Sequence, residues 1–224
     1  MDGSRPSAAP ADDSAVTLRV ARTMDDLQKV FMVRALVYVA EQDCPYGEEY
    51  DGNDLAGATH LLAERDGEPV ATLRIRWFCD FAKIERVCVR DGHRSGRITR
   101  RLMDEAIEII RRKGYRKLIG QIQKPLLPYW KRYGLIHREH RGTFVFSDRV
   151  YIEVEGRYAL HPKALTTETE PLTLDRPEGA WDEPGPLDHS VERGAADMSG
   201  RRVKAAPVPE SPAAARKGIK EETN

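Results

Sequence analysis

IERVCVRDGHRSGRITRRLM, at residues 84–103, gives the clearest indication of how this chain folds. Its first part, rich in β-branched residues, predicts a strand, which enters a turn of Gly, Ser, His and Arg and then a helix. The unpaired N–H groups of a helix N-terminus attract anions. Basic side chains surround this helix start: Arg90, His93, Arg94, Arg97, Arg100 and Arg101. The stretch therefore predicts a site for a pyrophosphate or a phosphoadenosine; a solvated basic helix start is the alternative.

Composition narrows the classes of protein to consider. The chain has 224 residues, with 36 Lys and Arg against 36 Asp and Glu, a length that suits one domain with accessory segments. The zero net charge gives no general electrostatic argument for nucleic acid. No apolar run reaches the roughly 18 residues of a membrane helix, and the N-terminus has no apolar signal core. The three cysteines lack metal-ligand spacing. We expect reduced thiols, no metal, and a cytoplasmic protein without nucleic-acid or membrane partners.

One folded domain is expected at residues 16–163. Residues 1–15 are rich in Ala, Ser, Pro and Asp and are predicted to be disordered. Residues 164–224 are rich in Pro, Glu and Thr with few large apolar side chains. Such a segment cannot bury enough surface to fold by itself, so we predict a largely disordered tail.

Within the domain, the pattern of apolar residues predicts the element order β-α-β-β-β-α-β-α-β-β, a mixed α/β layer fold. Thr23 or Asp25 is expected to cap the first helix, which ends near Ala40. Asp66-Gly67 between two apolar runs is a strong hairpin signal. The other predicted elements are strands at 16–21, 84–89 and 118–123, helices at about 96–113 and 125–133, and a closing hairpin at 143–156.

This order, with this turn at this place, resembles the GCN5-related N-acetyltransferase (GNAT) superfamily over about residues 16–156. Six local strings carry the resemblance: VFMVRALVY at 30–38, EQDCPY at 41–46, DGNDL at 51–55, THLL at 59–62, ERVCV at 85–89 and YWKRYGL at 129–135. The second and third strings are most similar to the small ElaA-type bacterial branch. The resemblance implies a mostly antiparallel central sheet flanked by helices.

The resemblance also implies a cosubstrate, acetyl-CoA or another acyl-CoA, lying where two central strands separate. It places the pantetheine along the backbone of Val87, Cys88 and Val89. It places the pyrophosphate on the turn and helix start, at Arg94, Ser95, Gly96, Arg97, Ile98, Thr99 and Arg100. The implied reaction is direct attack of a primary amine on the thioester in a ternary complex, with no metal.

The glycine signature of the superfamily is altered in this chain. The pattern Gln/Arg-x-x-Gly-x-Gly/Ala puts Arg94 at its first position, and Arg97 and Thr99 at its two glycine positions. Glycine suits those positions because its backbone can approach a phosphate without a Cβ. Gly96 replaces the first glycine if the loop is one residue shorter.

Glu85 is the first choice for the general base, acting directly or through water. Strand alternation puts its side chain on the same face as Val87 and Val89. The alternative is a structural salt bridge of Glu85 with Arg74 or Arg86.

Tyr129 and Tyr133 are the candidates for the acid that protonates the departing thiolate. They lie four residues apart and share a helix face. The superfamily often has a tyrosine where this chain has Trp130, which cannot supply a proton. Packing of both tyrosines in the core or against the cofactor is the alternative. Cys88 is expected to be a buried core thiol rather than a nucleophile.

The acceptor is expected to be a small-molecule or peptide amine. Carboxylates crowd the loop on the acceptor side and favour a cationic amine, unless they form a merely solvated acidic loop. They are Glu41, Glu48, Glu49, Asp51 and Asp54. The final hairpin presents an edge that a second copy can pair with, so a homodimer stays among the candidate assemblies.

Two rival interpretations remain open. The chain also resembles acyl-homoserine-lactone and N-acyl amino acid synthases, which take acyl chains from acyl carrier protein and lack the glycine signature. The residues that carry this second resemblance are Arg34, Val37, Tyr38, Asp51, Asp54, Arg74, Glu85 and Arg86. The altered signature also suits a degenerate domain that acts as a binding or regulatory module.

Overall fold

The computed structural model describes residues 16–192, 196 and 199–201. It divides into two compact units, Met1–Glu168 and Thr169–Asn224. The predicted disordered segment 1–15 lies outside the described residues.

The first unit contains an eight-stranded sheet. The strands are β1 Val16–Val20, β2 Thr59–Arg65, β3 Glu68–Trp77, β4 Ala82–Val89, β5 Lys117–Gln123, β6 Ile136–His137, β7 Thr143–Phe146 and β8 Arg149–Arg157. Their order in the sheet is β1-β2-β3-β4-β5-β8-β6, with β7 also paired to β8. Among the described strands, β4 and β5 are the parallel pair and the other pairings are antiparallel. This is the mixed α/β fold that the element order predicts, with the mostly antiparallel sheet that the resemblance implies.

Two long helical segments flank the sheet. Helix α1, Met24–Arg34, continues as a π-helix over Ala35–Ala40. Thr23 caps α1 in a capping box with Asp26, which decides between the two predicted caps. The shorter helices are α2 Tyr46–Glu49, α4 Leu127–Trp130 between the 3-10 turns Lys124–Leu126 and Lys131–Tyr133, and the 3-10 turn Glu139–Arg141. The second long helix, α3, spans Arg97–Arg112.

The core lies on both faces of β3, where Val70, Leu73 and Ile75 are fully buried. Val33 and Val37 of the first helical segment pack against Cys88 on one face. Helix α3 contacts β1 to β4 through its own buried side chains and covers the other face.

Strands β4 and β5 separate halfway along their length. Their pairing runs from Ala82 opposite Leu118 to Ile84 opposite Gly120. Beyond that point β4 continues to Val89 and β5 to Gln123 without pairing to each other. The sheet therefore opens on one side of Val87.

A β-bulge lies in β4 at the same place. The register with β3 shifts so that Glu85 opposes Arg74 while Cys88 opposes Thr72, and Arg86 has a φ of 53°. Opposing residues share a face, so Glu85 lies on the face of Cys88 and opposite to that of Val89. The expected shared face of Glu85 and Val89 is wrong, because the extra residue of a bulge reverses the alternation.

The described part of the second unit contains two short helices, α5 Pro171–Leu174 and α6 Asp188–Glu192. Glu170 caps α5, and Arg176 pairs with Asp188 at 2.9 Å. The Arg176 guanidinium also donates to the carbonyl of Trp181 at 2.8 Å. Residues 171–192 thus contain local structure, although the composition predicts a largely disordered tail. Side chains such as those of Glu170 and Arg176 bond to backbone groups and hold these short turns.

Candidate functional site

Two cavities meet where β4 and β5 separate. The turn-side cavity, of about 580 Å³, lies along Val87–Val89 and the turn before α3. The hairpin-side cavity, of about 430 Å³, lies between β4, β5 and the β7–β8 hairpin. Both are lined by Gln42, Val87, Gln123, Leu126 and Trp130. A molecule in one cavity can therefore reach a molecule in the other at Val87.

The turn-side cavity ends at the start of α3. Gly96 is the residue before the helix and has a φ of +78°, a conformation that favours glycine. The N–H groups of Ile98 and Thr99 lie in the first turn, where a helix offers no acceptor of its own. Gly96 thus supplies the left-handed conformation, and Arg97 and Thr99 occupy helical positions. The geometry fits a phosphate group.

The predicted cofactor-binding residues fall into two groups. Those that line the turn-side cavity are Val87, Cys88, Val89, Arg94, Gly96 and Thr99. Those that do not line it are Ser95, Arg97, Ile98 and Arg100. The side chain of Ile98 is buried in the packing of α3, so its backbone alone faces the turn.

Arg94 and Tyr38 hold the backbone of β4 beside the opening. The Nε of Arg94 donates to the carbonyl of Val89 at 2.9 Å, and its Nη2 pairs with Glu41. The hydroxyl of Tyr38 donates to the carbonyl of Val87 at 2.9 Å.

Cys88 is a core thiol, as the sequence predicts. Its side chain is buried, and burial raises the pKa of the thiol well above its ordinary value.

The two candidate tyrosines lie close together but differ in access. Their hydroxyls are 3.0 Å apart. Tyr129 lines the turn-side cavity, whereas Tyr133 lines neither cavity. Burial and the hydrogen bond with Tyr129 raise the pKa of Tyr133, which makes it a weak acid. Trp130 lines both cavities and is 8% exposed.

Glu85 lines the hairpin-side cavity within an ion-pair cluster. Its carboxylate pairs with Nη2 of Arg74 and with Nζ of Lys83, each at 2.5 Å. Burial raises its pKa, but hydrogen bonds from Lys83 and Arg74 outweigh burial and bring the pKa below its ordinary value. Glu85 is therefore ionised at neutral pH. It forms the salt bridge with Arg74 that was predicted as the alternative to a role as base, whereas Arg86 binds other residues.

Buried arginines hold the acidic loop at residues 43–58. Arg34, fully buried, donates to Glu49 and to Asp54 at 2.5 Å each. Arg74, also fully buried, binds Asp51 at 2.7 Å and Asp54 at 2.8 Å. Glu49 and Asp54 are buried and Asp51 is partly exposed. All three are already paired with arginines and are not free to attract a cation.

The site contains residues that the sequence did not single out. Gln42, within the EQDCPY string, lies at the junction of the cavities, with Gln123 and Leu126 from β5 and the turn after it. The aromatic wall of the hairpin-side cavity is Phe144, Phe146 and Tyr151. Of these residues, only Gln42 could have been found from a local motif, the string at 41–46. The hairpin residues reach the site through pairing with strands far away in the chain.

Over the described residues, the structure has no group of three or more His, Cys, Asp and Glu side chains suited to holding a metal ion. Within that part of the chain, no helix is both long and apolar enough to cross a membrane.

Residues 22–135 match the family described as Acetyltransferase (GNAT) family. The chain belongs to this family. A Bacillus subtilis (strain 168) protein named as the uncharacterized N-acetyltransferase YjcF is 31% identical over 116 residues, 51% of this chain and 81% of that protein. Protein ElaA of Escherichia coli (strain K12) is 33% identical over 90 residues, 38% of this chain and 58% of ElaA. The resemblance to GNAT proteins and to ElaA is thereby confirmed.

Solved structures agree with this assignment. The crystal structure of an acyl-CoA N-acyltransferase from Pseudomonas aeruginosa has a TM-score of 0.58 and 28% identity, covering 63% of this chain and 99% of that one. The crystal structure of Escherichia coli ElaA shares the fold, with a TM-score of 0.58 and 23% identity over the same shares. As a GNAT protein the chain is an acyltransferase; the family uses acyl-CoA as cosubstrate and acts on amines.

Proposed function

We propose that this GNAT enzyme transfers an acetyl group from acetyl-CoA to a primary amine at the junction of the two cavities. The observation that carries the proposal is the opening between β4 and β5, where the two cavities share Val87. One cavity leads to a helix start that suits a pyrophosphate. The other is a separate chamber through which an acceptor can approach the thioester. Direct attack in a ternary complex needs this arrangement.

In the proposed reaction the amine nitrogen forms a bond to the thioester carbon, the C–S bond breaks, and the amine loses a proton. The N–H of Cys88 or Val89 polarises the carbonyl, as in related enzymes. Glu85 is ionised and lines the acceptor chamber. The lowered pKa of Glu85 makes this carboxylate a weak base. We assign Glu85 to accept the proton of the amine through a water molecule.

The departing thiolate takes a proton from Tyr129. This assignment follows from access, because Tyr129 lines the turn-side cavity and Tyr133 does not. Tyr133 lies behind it, within hydrogen-bond distance of its hydroxyl.

Acetyl-CoA titration by calorimetry, followed by thiol release and product mass in the presence of amines, tests the proposal. We expect binding and amine-dependent release of CoA. Arg94→Gln should weaken acetyl-CoA binding about tenfold, whereas Arg111→Gln, outside both cavities, should not. Absence of binding contradicts the proposal, and tight binding without transfer to any amine would favour the regulatory module instead.

A further inference from the structure

We propose that the hairpin-side cavity selects a short, peptide-like amine with a free carboxylate at its far end, and that Arg76 recognises this carboxylate. The inference rests on the proposed function, because it takes Val87 as the place where the amine reacts.

The charges along the cavity argue against a polyamine. Asp51 is bound by Arg74 at 2.7 Å and by Arg86 at 3.3 Å. Glu85 is bound by Arg74 and Lys83. A polycation would therefore find these carboxylates already paired, and it would face the positive charges of the lining cations.

Arg76 is the lining cation with donors to spare. Its side chain is 27% exposed, and its nearest carboxylate oxygen belongs to Glu85, 3.9 Å away and already paired. The guanidinium lies 5.1 Å from the centre of the Phe78 ring. Throughout the part of the chain that the structure describes, Arg76 makes no hydrogen bond that would occupy these donors. A planar guanidinium with open donors suits a carboxylate.

Glu48 also lines the hairpin-side cavity and carries the opposite charge. Its carboxylate accepts hydrogen bonds from the backbone N–H and the hydroxyl of Ser147, at 3.1 and 2.9 Å. In the described residues it has no cationic partner. Arg86 donates to the Glu48 carbonyl at 2.7 Å. Because Arg86 directly precedes Val87 in β4, Glu48 lies near the reacting end of the cavity. An ammonium group is therefore attracted to the reacting end.

The spacing of the two ends sets the length of the acceptor. Arg76 lies opposite Lys83 on β4, four positions before Val87, and the bulge at Arg86 takes up one of these positions. At about 3.3 Å per residue the remaining three steps cover roughly 10 Å. An extended tripeptide spans about 10 Å, which matches this separation. Phe144 and Phe146 give the middle of the cavity an apolar wall, which suits a central apolar side chain.

The test compares acetyl transfer to Ala-Phe-Ala, to its C-terminal amide and to spermidine, measured as kcat/KM by CoA release with product mass. We expect the free acid to be preferred over the amide by about tenfold or more. Arg76→Gln should lower kcat/KM for the acid about ten- to a hundredfold and leave the amide and the KM for acetyl-CoA within about twofold. Arg111→Gln, whose side chain is similarly exposed at 28%, is the matched control.

Each outcome decides the inference. Equal losses for acid and amide in Arg76→Gln, or a preference for spermidine, would overturn it while leaving the acetyltransferase intact. Transfer to other amines but to neither peptide would do the same. If acetyl-CoA binds and no amine is acetylated, the proposed function itself fails.

Discussion

Replacing Arg34 by Met should destabilise the first unit strongly and in a pH-dependent way. Arg34 is fully buried and donates to Glu49, to Asp54 and, at 2.8 Å, to the backbone carbonyl of Glu49. Removing one partner of a buried ion pair costs about 3–5 kcal/mol, because the other charge stays buried and unpaired. Asp54 keeps its bond to Arg74, and Glu49 keeps its ion pair with Arg86 at 3.0 Å, so we expect the lower end, about 3 kcal/mol.

The sign of the pH dependence follows from the two carboxylates. Burial raises the pKa of Glu49 above its ordinary 4.5 although Arg34 lowers it, and without Arg34 the pKa rises further. A group with a raised folded-state pKa loses stability as the pH climbs through that pKa. Burial also raises the pKa of Asp54, but bonds from Arg34 and Arg74 bring it below its ordinary value. The lowered pKa of Asp54 stabilises the folded state only above the ordinary pKa of an aspartate. Removing the bond from Arg34 therefore lowers the free energy of unfolding most at high pH.

Urea unfolding of wild type, Arg34→Met and the partly exposed control Arg111→Met, at pH 7 and pH 5, measures the effect. The penalty of Arg34→Met should be largest at pH 7 and should shrink at pH 5, while the control should stay within about 1 kcal/mol of wild type. Arg34 lines neither cavity, so acetyl-CoA binding should survive while the KM for the amine rises. A penalty under about 1 kcal/mol at pH 7, or one that grows in acid, would show that the pairing of Arg34 with Glu49 and Asp54 does not stabilise the fold.

Three further results are expected for residues in or beside the two cavities. Glu85→Gln should lower kcat roughly a hundredfold with little change in acetyl-CoA affinity, and turnover unchanged across the pH range would remove Glu85 from the mechanism. Tyr129→Phe should reduce kcat more than Tyr133→Phe, since only Tyr129 lines the turn-side cavity; full activity in both variants would mean that no tyrosine acts as the acid. Gly96→Ala, at a φ of +78°, should cost about 1 kcal/mol of stability and weaken acetyl-CoA binding, which thermal unfolding and calorimetry would show.

Local chemistry allowed much of the fold to be predicted. The strand, turn and helix at residues 84–103, the cap at Thr23 and the hairpin turn at Asp66-Gly67 all depend on residues close together in the chain. These features were predictable because the interactions that fix them span only a few residues.

The site depended on contacts that leave no local pattern. The bulge at Arg86 reversed the face of Glu85, and the alternation that predicted that face cannot reveal an inserted residue. The carboxylates of the loop at 43–58 form a local pattern typical of a cation-binding surface, but Arg34 and Arg74 pair with Glu49, Asp51 and Asp54 and leave only Glu48 for that role.

Local residue patterns were enough to predict most strands and helices and the anion-attracting start of α3. The separation of β4 from β5 and the pairing of the buried charges became visible only in the folded chain. The same holds for Arg76 and Glu48, which line one chamber without a close ion pair between them. Strand separation and buried ion pairing join residues far apart in the chain, and their energies depend on burial, which no short window of sequence contains.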